Sequence, residues 1–433
     1  MPLLSRTGSM TSKAFGQNVN SVSYWISGNS ATLYPFQGGI VPAIAQDSSG
    51  NTYIAGTDAT LVNGVLIKYN PFGQILWQKD FANTSITSLA AGGSSVYIGG
   101  FSGTLLLAQV SQINQSDGAL TYTASISGGT NISAINYESG AGVVWAAGTS
   151  GSGSFNLFRL NFSTLASSAV VTNVSPTGGY TDYPGNVSFL SSGNPVVFSN
   201  GTVFEYNKTT LALINAIITN VQPDSPAGQK PLTGVVVDLS NNMYVFGNDS
   251  ATSYPAIQKL NSSFTSQWLA KQSMASYTNA AMLSVAVAQD GSVYSIGSST
   301  AGASRSSWIQ QADSSGVGVW RNLIYASSSM AVNNLTLTQT NGKPISLYAS
   351  GSILNTNGLM YKVPADGTRT KSGVIATVGG VDLYYSASNI SNTVTTGTTS
   401  SSSSSNSAFG GTVSFATPIA SSTATYTNTL TNI

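Results

Sequence analysis

Short stretches of alternating apolar and polar residues recur along the chain, and each leads into a turn rich in Asp, Asn, Gly and Ser. Leu283–Ala288 reads LSVAVA; the turn QDGS follows, and a second short strand, VYSIG, ends at Gly297. Alternation with a period of two is typical of β-strands that are buried on one face. No segment shows a sustained 3.6-residue apolar period of helical length, so the pattern predicts an all-β fold.

This strand–turn–strand unit occurs seven times. Six copies end on a glycine, and in the fourth copy Ser199-Asn200-Gly201 replaces it. The six glycines are Gly56, Gly100, Gly148, Gly247, Gly297 and Gly351. Their spacings of 44, 48, 99 (two units), 50 and 54 residues fit propeller blades, which need about 40–50 residues each. A third strand ending in Asn or Asp and a fourth strand, often with a Trp such as Trp77 or Trp268, complete each unit. The pattern therefore predicts a seven-bladed β-propeller of four-stranded antiparallel blades.

The repeats also predict how the chain is divided. We expect an N-terminal arm at residues 1–21, the propeller at 22–388, a low-complexity linker at 389–411 and a C-terminal β-segment at 412–433. The stretch SYWIS resembles the Trp-bearing fourth strands, so we expect the N-terminus to supply the outer strand of the last blade. SGVIATVGGVDLYYSAS, at 372–388, resembles a hairpin and competes for that place.

The composition changes after residue 388. The stretch VTTGTTSSSSSSNSAFGG is of low complexity and predicts a flexible linker. The final segment, Thr412–Ile433, alternates apolar and polar residues but is too short to fold alone. We expect it to add as a strand to a sheet of a partner protein. The alternative is that it folds back onto the propeller rim of its own chain.

One stretch closely follows a known pattern: DSSGNTYIAG…LIKYNPFGQILW, from Asp47 to Trp77. It resembles the seven-bladed propeller repeat often written D-x-x-G-N-x-Y-V-x-G…K-x-[ND]-x-x-G-x-x-x-W, a resemblance that covers roughly residues 22–390. The layout also resembles propeller proteins in the virions of marine tailed phages. Those proteins place a Y-W-I strand before the first blade and a T-V-G-G-V-type segment with a Ser/Thr-rich tail after the last, as in Tyr24-Trp-Ile and ATVGGVDLYYSAS here.

The resemblance implies a non-enzymatic structural or interaction protein, a virion component in the tail or its appendages. It implies partners among other virion proteins in a multi-copy assembly and a role in host attachment, with a host surface glycan as a further ligand. The first alternative is a bacterial adhesin or glycan-binding propeller that is extracellular or on the cell surface. The second is a propeller polysaccharide lyase or glycosidase.

Composition narrows the possible chemistry. The chain has no His and no Cys, which excludes Ser-His-Asp and Cys-His catalysis and the usual zinc sites. Only 7% of residues are charged and the net charge is +1, so we expect no nucleic-acid partner. No apolar run approaches the roughly 20 residues that span a bilayer, so we expect no membrane partner.

Six of the fourteen acidic residues fall in the predicted turns. Three lie in first turns and three in second turns: Asp47, Asp238 and Asp290, then Asp117, Asp313 and Asp366. Asp caps such turns with its side chain, whereas a calcium loop needs several oxygen ligands and a terminal Glu. We therefore expect no metal and no cofactor. The only two Glu residues, Glu138 and Glu205, form no recognisable catalytic pair, although different blades can bring two carboxylates together. We expect no enzyme activity.

The third strands carry a set of mostly polar residues at positions that the sequence aligns. They are Lys68, Gln109, Arg159, Glu205, Lys259, Gln311 and Lys362. One interpretation is a mostly basic ring that binds anions or acidic glycans. The other is that strand alternation places a polar residue between two buried ones.

Overall fold

A computed structural model describes most of the chain. The described residues are 25–29, 43–57, 63–102, 107–129, 131–138, 141–149, 154–174, 184–222, 234–272, 278–301, 304–326, 330–340, 343–353, 357–368, 374–378, 380–387, 392–401, 405–408, 413–415, 421–423 and 428–432. All regular secondary structure in these ranges is β-strand, and the strands form seven antiparallel sheets. The N-terminal arm expected at 1–21 lies outside the described residues.

Each of the first three sheets contains four strands that follow one another along the chain. Blade one contains Ala43–Gln46, Thr52–Thr57, Gly64–Tyr69 and Ile75–Phe81. Blade two contains Thr84–Gly92, Ser95–Ser102, Ala108–Asn114 and Leu120–Ile126. Blade three contains Asn131–Glu138, Val143–Thr149, Ser154–Asn161 and Ser167–Val174.

The next three blades repeat this order. Blade four contains Val187–Phe189, Pro195–Ser199, Thr202–Tyr206 and Leu213–Ile218. Blade five contains Gly234–Val237, Met243–Asp249, Pro255–Leu260 and Ser266–Gln272. The short strand Val221–Gln222 pairs with Met243–Asp249, on the same edge as Gly234–Val237. Blade six contains Thr278–Val287, Val293–Ala301, Ser304–Ala312 and Gly318–Ala326.

Blade seven is completed by the N-terminus. Its first three strands are Met330–Thr340, Lys343–Ile353 and Asn357–Pro364, and its fourth is Trp25–Asn29, in which Trp25 pairs with Lys362. The first strands of neighbouring blades contact one another all around the ring, including blade seven with blade one. The chain is therefore a closed seven-bladed β-propeller, and closure by the N-terminal strand is confirmed from Trp25 onward.

The hydrophobic core lies between the blades. Seven clusters of buried apolar side chains occur among the described residues, and each joins two successive blades. The cluster between blades seven and one joins Tyr348 and Met360 to Ile54 and Ile67. Because each blade buries both faces against its neighbours, no blade is a stable unit on its own.

The chain after blade seven adds a further strand to every blade. Val381–Ala387 pairs with the fourth strand of blade six, and Val374–Val378 pairs outside it. Each later strand pairs with the fourth strand of one further blade, in descending order from blade five to blade one and finally at blade seven. They are Asn392–Thr395 on blade five, Ser400–Ser401 on blade four, Ser405–Ala408 on blade three, Val413–Phe415 on blade two, Ser421–Thr423 on blade one and Asn428–Asn432 on the N-terminal strand of blade seven. We call these strands, from Val381 to Asn432, the girdle.

The girdle corrects three expectations. The described part of the hairpin at 372–388 lies on blade six rather than competing for the last blade. The linker at 389–411 was expected to be flexible, yet residues 392–395, 400–401 and 405–408 are outer strands. The described strands of the C-terminal segment pair with the chain's own blades, as in the alternative, and not with a partner. Backbone pairing uses groups that every non-proline residue carries, so a Ser-rich stretch forms a strand without apolar alternation.

Candidate interaction surface

The turns at one end of the ring are held by aspartate. In this meander, the turn between the first two strands of a blade and the turn between its last two lie at the same end, which we call the turn end. Asp47 Oδ1 accepts hydrogen bonds from the backbone N–H groups of Ser49 and Asn51, each at 2.9 Å. Its Oδ2 accepts the Asn51 amide and the Tyr53 hydroxyl, each at 2.9 Å. All of these partners belong to the turn and strand that follow, so Asp47 acts as a cap.

The other predicted turn acids make equivalent bonds. Asp238 repeats the arrangement and accepts the Tyr244 hydroxyl at 3.1 Å. The remaining four each accept a backbone N–H two residues further on: Asp117, Asp290, Asp313 and Asp366. The prediction that these six acids cap turns is confirmed. Burial, together with the bond to Asp47, raises the pKa of Tyr53 well above its usual range.

The third-strand set is aligned as predicted in six blades but not in blade two. In five of those blades the residue faces an aromatic side chain of the second strand, and Glu205 instead faces Val196. In blade two the residue that faces Tyr97 is Gln112, whereas Gln109 faces Gly100 three rows away. The assignment of Gln109 to this set was therefore wrong. Blade two has Gln at both positions, but Gln112 lies two residues before Asn114, as Lys68 lies two residues before Asn70, so the spacing in the sequence identifies Gln112.

Two lysines of this set, in blades one and seven, connect their blade to the next. Lys68 is only 8% exposed, and its ammonium donates to the Gln115 carbonyl of blade two at 2.8 Å. It lies 5.3 Å from the centre of the Tyr53 ring. Burial lowers the pKa of Lys68, and Asp47 at 4.0 Å opposes that shift. In blade seven, Lys362 is buried to the same extent and donates to the Pro71 carbonyl of blade one at 3.4 Å.

A Trp–Gly contact accompanies the lysines. In blade five the Trp268 indole donates to the Ser314 carbonyl of blade six at 3.0 Å, and Trp77 makes the equivalent bond to Gln115. Gly316 has φ +85°, and a Cβ there would lie 2.9 Å from the Trp268 ring. Glycine is needed at this turn both for its backbone conformation and for the close approach of the indole. The Lys and Trp positions of the repeat thus join each of these blades to its neighbour.

The two Glu residues are bound within their own blades. Glu205 accepts the amide groups of Asn194 at 2.8 Å and Asn215 at 2.6 Å, one on each carboxylate oxygen. Glu138 accepts the Trp145 indole N–H at 2.9 Å. The described part of the chain contains no group of three or more His, Cys, Asp or Glu that could hold a metal ion. It also contains no helix long and apolar enough to cross a membrane.

The turn end carries a set of exposed apolar side chains, which we call the apolar set. Three lie in second turns, four near the start of fourth strands, and one in the first turn of blade five: Phe72, Phe162 and Val317; Leu76, Tyr122, Ile214 and Val319; and Leu239. Leu239 is 79% exposed and Phe72 is 62% exposed. Because most of the exposed large apolar side chains among the described residues lie at this end, it is the candidate interaction surface.

The girdle leaves the fourth-strand members of this set uncovered. In blade one it pairs with the fourth strand only from Lys79 to Phe81, and Leu76 lies before that stretch. Sequence reasoning missed these residues, although a signal was present. Leu76 and Val319 directly precede the Trp of their fourth strands, so alternation places them on the opposite face from the partly buried indole.

Solved structures resemble the chain at low identity. "Crystal Structure of Mitotic Checkpoint Complex" has a TM-score of 0.49 and 11% identity, covering 75% of this chain and 87% of that chain. "Structure of Dos1 propeller" has a TM-score of 0.46 and 10% identity, covering 78% and 94%. "Kuenenia stuttgartiensis Hydrazine Synthase" has a TM-score of 0.44 and 9% identity, covering 60% and 72%. No protein-family profile and no curated protein matches the chain. The assignment as a seven-bladed β-propeller therefore rests on its own seven sheets.

Proposed function

We propose that this protein is a non-enzymatic structural and interaction protein, a virion component in the tail or a tail appendage of a phage. The observation that carries the proposal is the apolar set at the turn end. The resemblance of the layout to propeller proteins of marine tailed phages, with the Y-W-I strand first and the Ser/Thr-rich tail last, supports the virion location.

The girdle bears on how such a protein would attach. Its described strands already pair with blades of their own chain, so they do not need a partner's sheet to become ordered. Attachment then falls to side chains on the propeller. Apolar side chains between polar turns suit a permanent contact with another virion protein, in which their burial contributes about 25 cal/mol per Å².

The first test is whether the protein co-purifies with intact particles at a fixed stoichiometry, measured by mass spectrometry of gradient-purified virions. The proposal requires that it does. Its absence from particles would contradict the virion assignment. Binding of the isolated protein to a glycan array would then favour the adhesin. Activity on a polysaccharide that is lost in Glu205→Gln would favour the enzyme.

A matched pair of variants tests the apolar set. Tyr122, at the turn end, is 41% exposed, and Tyr254, between the second and third strands of blade five at the opposite end, is 39% exposed. We expect Leu76→Ser combined with Tyr122→Ser to fold normally and to lower incorporation into particles at least tenfold. Tyr254→Ser should assemble at the wild-type level. Equal incorporation of both variants would place attachment elsewhere on the protein.

A further inference from the structure

One buried polar side chain in blade five differs from its counterparts in blades one, three and four, although blade six has a buried glutamine, Gln310, in the same row. Gln258 is 0% exposed and pairs with Val245 of the second strand. In blades one, three and four the same row of the third strand holds a buried apolar residue: Ile67, Phe158 and Phe204. Burying a primary amide is unfavourable unless its hydrogen bonds are made. The bonds made by Gln258 therefore indicate why a polar residue is present.

Gln258 is bonded to the girdle. Its amide group donates to the carbonyl of Thr398 at 2.9 Å and to Ser266 Oγ at 3.0 Å. Its carbonyl oxygen accepts the backbone N–H of Asn220, just after blade four, at 2.8 Å. The Asn220 side chain in turn accepts the backbone N–H of Thr398, and the Thr398 hydroxyl at 3.2 Å. Both backbone groups of one girdle residue are thus bound by side chains from the ring.

Gly397, the residue before Thr398, fits against Gln258 because it has no side chain. Gly397 is buried, although Thr396 and Thr398 on either side of it are exposed. A Cβ at Gly397 would lie 2.6 Å from Ser266 Oγ and 2.7 Å from Gln258 Nε2. Any side chain at this position would push the girdle away from Gln258.

The next part of the girdle has no means of fixing its own register. Residues 399–406 read TSSSSSSN, and of the described part of this stretch Ser400 and Ser401 pair with blade four, opposite Ile218 and Ile217. A slip by one or two residues that brings Ser402 or Ser403 opposite Ile217 replaces serine with serine, so the side chains do not distinguish these registers. A fixed point outside this run is required.

We propose that Asn220 and Gln258 form a peptide-recognition site that binds the Gly397-Thr398 dipeptide and sets the register of the girdle. The ligand is an extended segment in which glycine precedes a hydroxyl residue. The glycine permits close approach, the two ring side chains bind the backbone of the next residue, and the Thr hydroxyl adds a third bond. In this chain the ligand is the girdle itself.

Introduced cysteines can report the register because the chain has no natural Cys. Ile217→Cys with Ser401→Cys matches the observed pairing, and Ile217→Cys with Ser403→Cys matches a slip of two residues. In the otherwise unchanged protein we expect the first pair to form a disulfide in most molecules and the second in fewer than a tenth. Adding Gln258→Met, which keeps the length of the side chain but removes its amide, should lower the ratio of matched to slipped disulfide at least fivefold.

Gly397→Val alters only the girdle and should have the same effect, so the test stands even if Gln258→Met fails to fold. Thr396→Val, an exposed neighbour, is the matched control and should leave the ratio unchanged. If the ratio is unchanged in both Gln258→Met and Gly397→Val, the proposal is wrong.

Discussion

The ring and the girdle are both made of β-strands, but side chains join the blades to one another, whereas mainly backbone hydrogen bonds join the girdle to the blades. The blades contact one another through side chains: the buried Lys68, the indole of Trp268 and the apolar clusters between sheets. The first girdle strand also packs Leu383 and Tyr385 into the cluster between blades six and seven, but the described strands are otherwise joined to the blades mainly by backbone ladders of two to five residues. Side-chain contacts constrain which residues can occupy a position, whereas backbone ladders scarcely do.

The comparison assigns different roles to the ring and the girdle: stability of the fold and protection of its strand edges. A buried aromatic side chain contributes several kcal/mol, whereas an exposed Ser in a short outer strand contributes little beyond its backbone bonds. We therefore expect the ring to determine whether the protein folds. The girdle should cover strand edges that would otherwise pair with other chains.

The largest effect should follow from removing the strand that ring and girdle share. Deleting residues 1–30 removes Trp25–Asn29, which pairs with Asn357–Pro364 on one side and Asn428–Asn432 on the other. We expect loss of cooperative thermal unfolding, or aggregation, measured by circular dichroism and light scattering. Deleting residues 1–21 is the control and should leave the melting curve unchanged. An unaltered curve after the longer deletion would contradict closure by this strand.

A smaller but still large effect is expected from a single Trp in the ring. Trp268→Ala removes an indole that is 7% exposed and its bond to Ser314. We expect a loss of about 3–5 kcal/mol in the free energy of unfolding, measured with urea. Gln267→Ala, at the exposed neighbouring position, should change it by less than about 0.5 kcal/mol. A loss for Trp268→Ala no greater than that of the control would show that the Trp contact is dispensable.

Alkaline pH should weaken the ring through its buried tyrosines. Burial raises the pKa of Tyr97 and of Tyr348 to about 12. A raised pKa in the folded state means that the stabilisation is complete below about pH 10, the unfolded value, and is lost as pH rises toward 12. Burial lowers the pKa of Arg321 to about 10, which acts in the opposite direction, but more tyrosines than arginines are affected.

We therefore expect the urea midpoint to fall between pH 10 and pH 11. Tyrosinate absorbance at 295 nm should increase together with unfolding. A constant midpoint across that interval would mean that these tyrosines ionise without cost to the fold.

The smallest effect concerns metal. The oxygens of Asp47 and Asp238 already accept bonds from their own turns, so we expect chelation with EDTA to leave the melting temperature unchanged. A shift of many degrees that calcium reverses would show instead that these turns bind the ion.

The ring could be predicted from sequence because its contacts depend on particular side chains. The Asp at the first turn, the Trp of the fourth strand and the Y-W-I stretch at Trp25 all occupy the predicted places. The error at Gln109 arose in blade two, where a Tyr replaces the fourth-strand Trp and two Gln lie three residues apart. The Asn that ends the third strand is the better reference, since Gln112 lies two residues before Asn114.

The path of the girdle could not be predicted because its Ser-rich middle leaves no comparable pattern, although the hairpin at 372–388 and the C-terminal segment do alternate. Ser400 and Ser401 pair through backbone N–H and C=O groups, and a flexible linker of the same sequence has the same groups. The residues that fix its position, Gln258 and Asn220, lie more than a hundred residues earlier in the chain. The apolar set was missed for another reason. Isolated exposed apolar residues have a meaning only once their shared end of the ring is known.

Hydrogen–deuterium exchange of the intact protein, read by mass spectrometry, tests most directly whether the tail encircles the ring. If it does, amides in Asn392–Thr395, Ser405–Ala408 and Asn428–Asn432 should exchange at least tenfold more slowly than those of an unstructured peptide of the same sequence, because each strand pairs with a blade. Exchange at the rate of the free peptide across all three strands would contradict the girdle and restore the flexible linker.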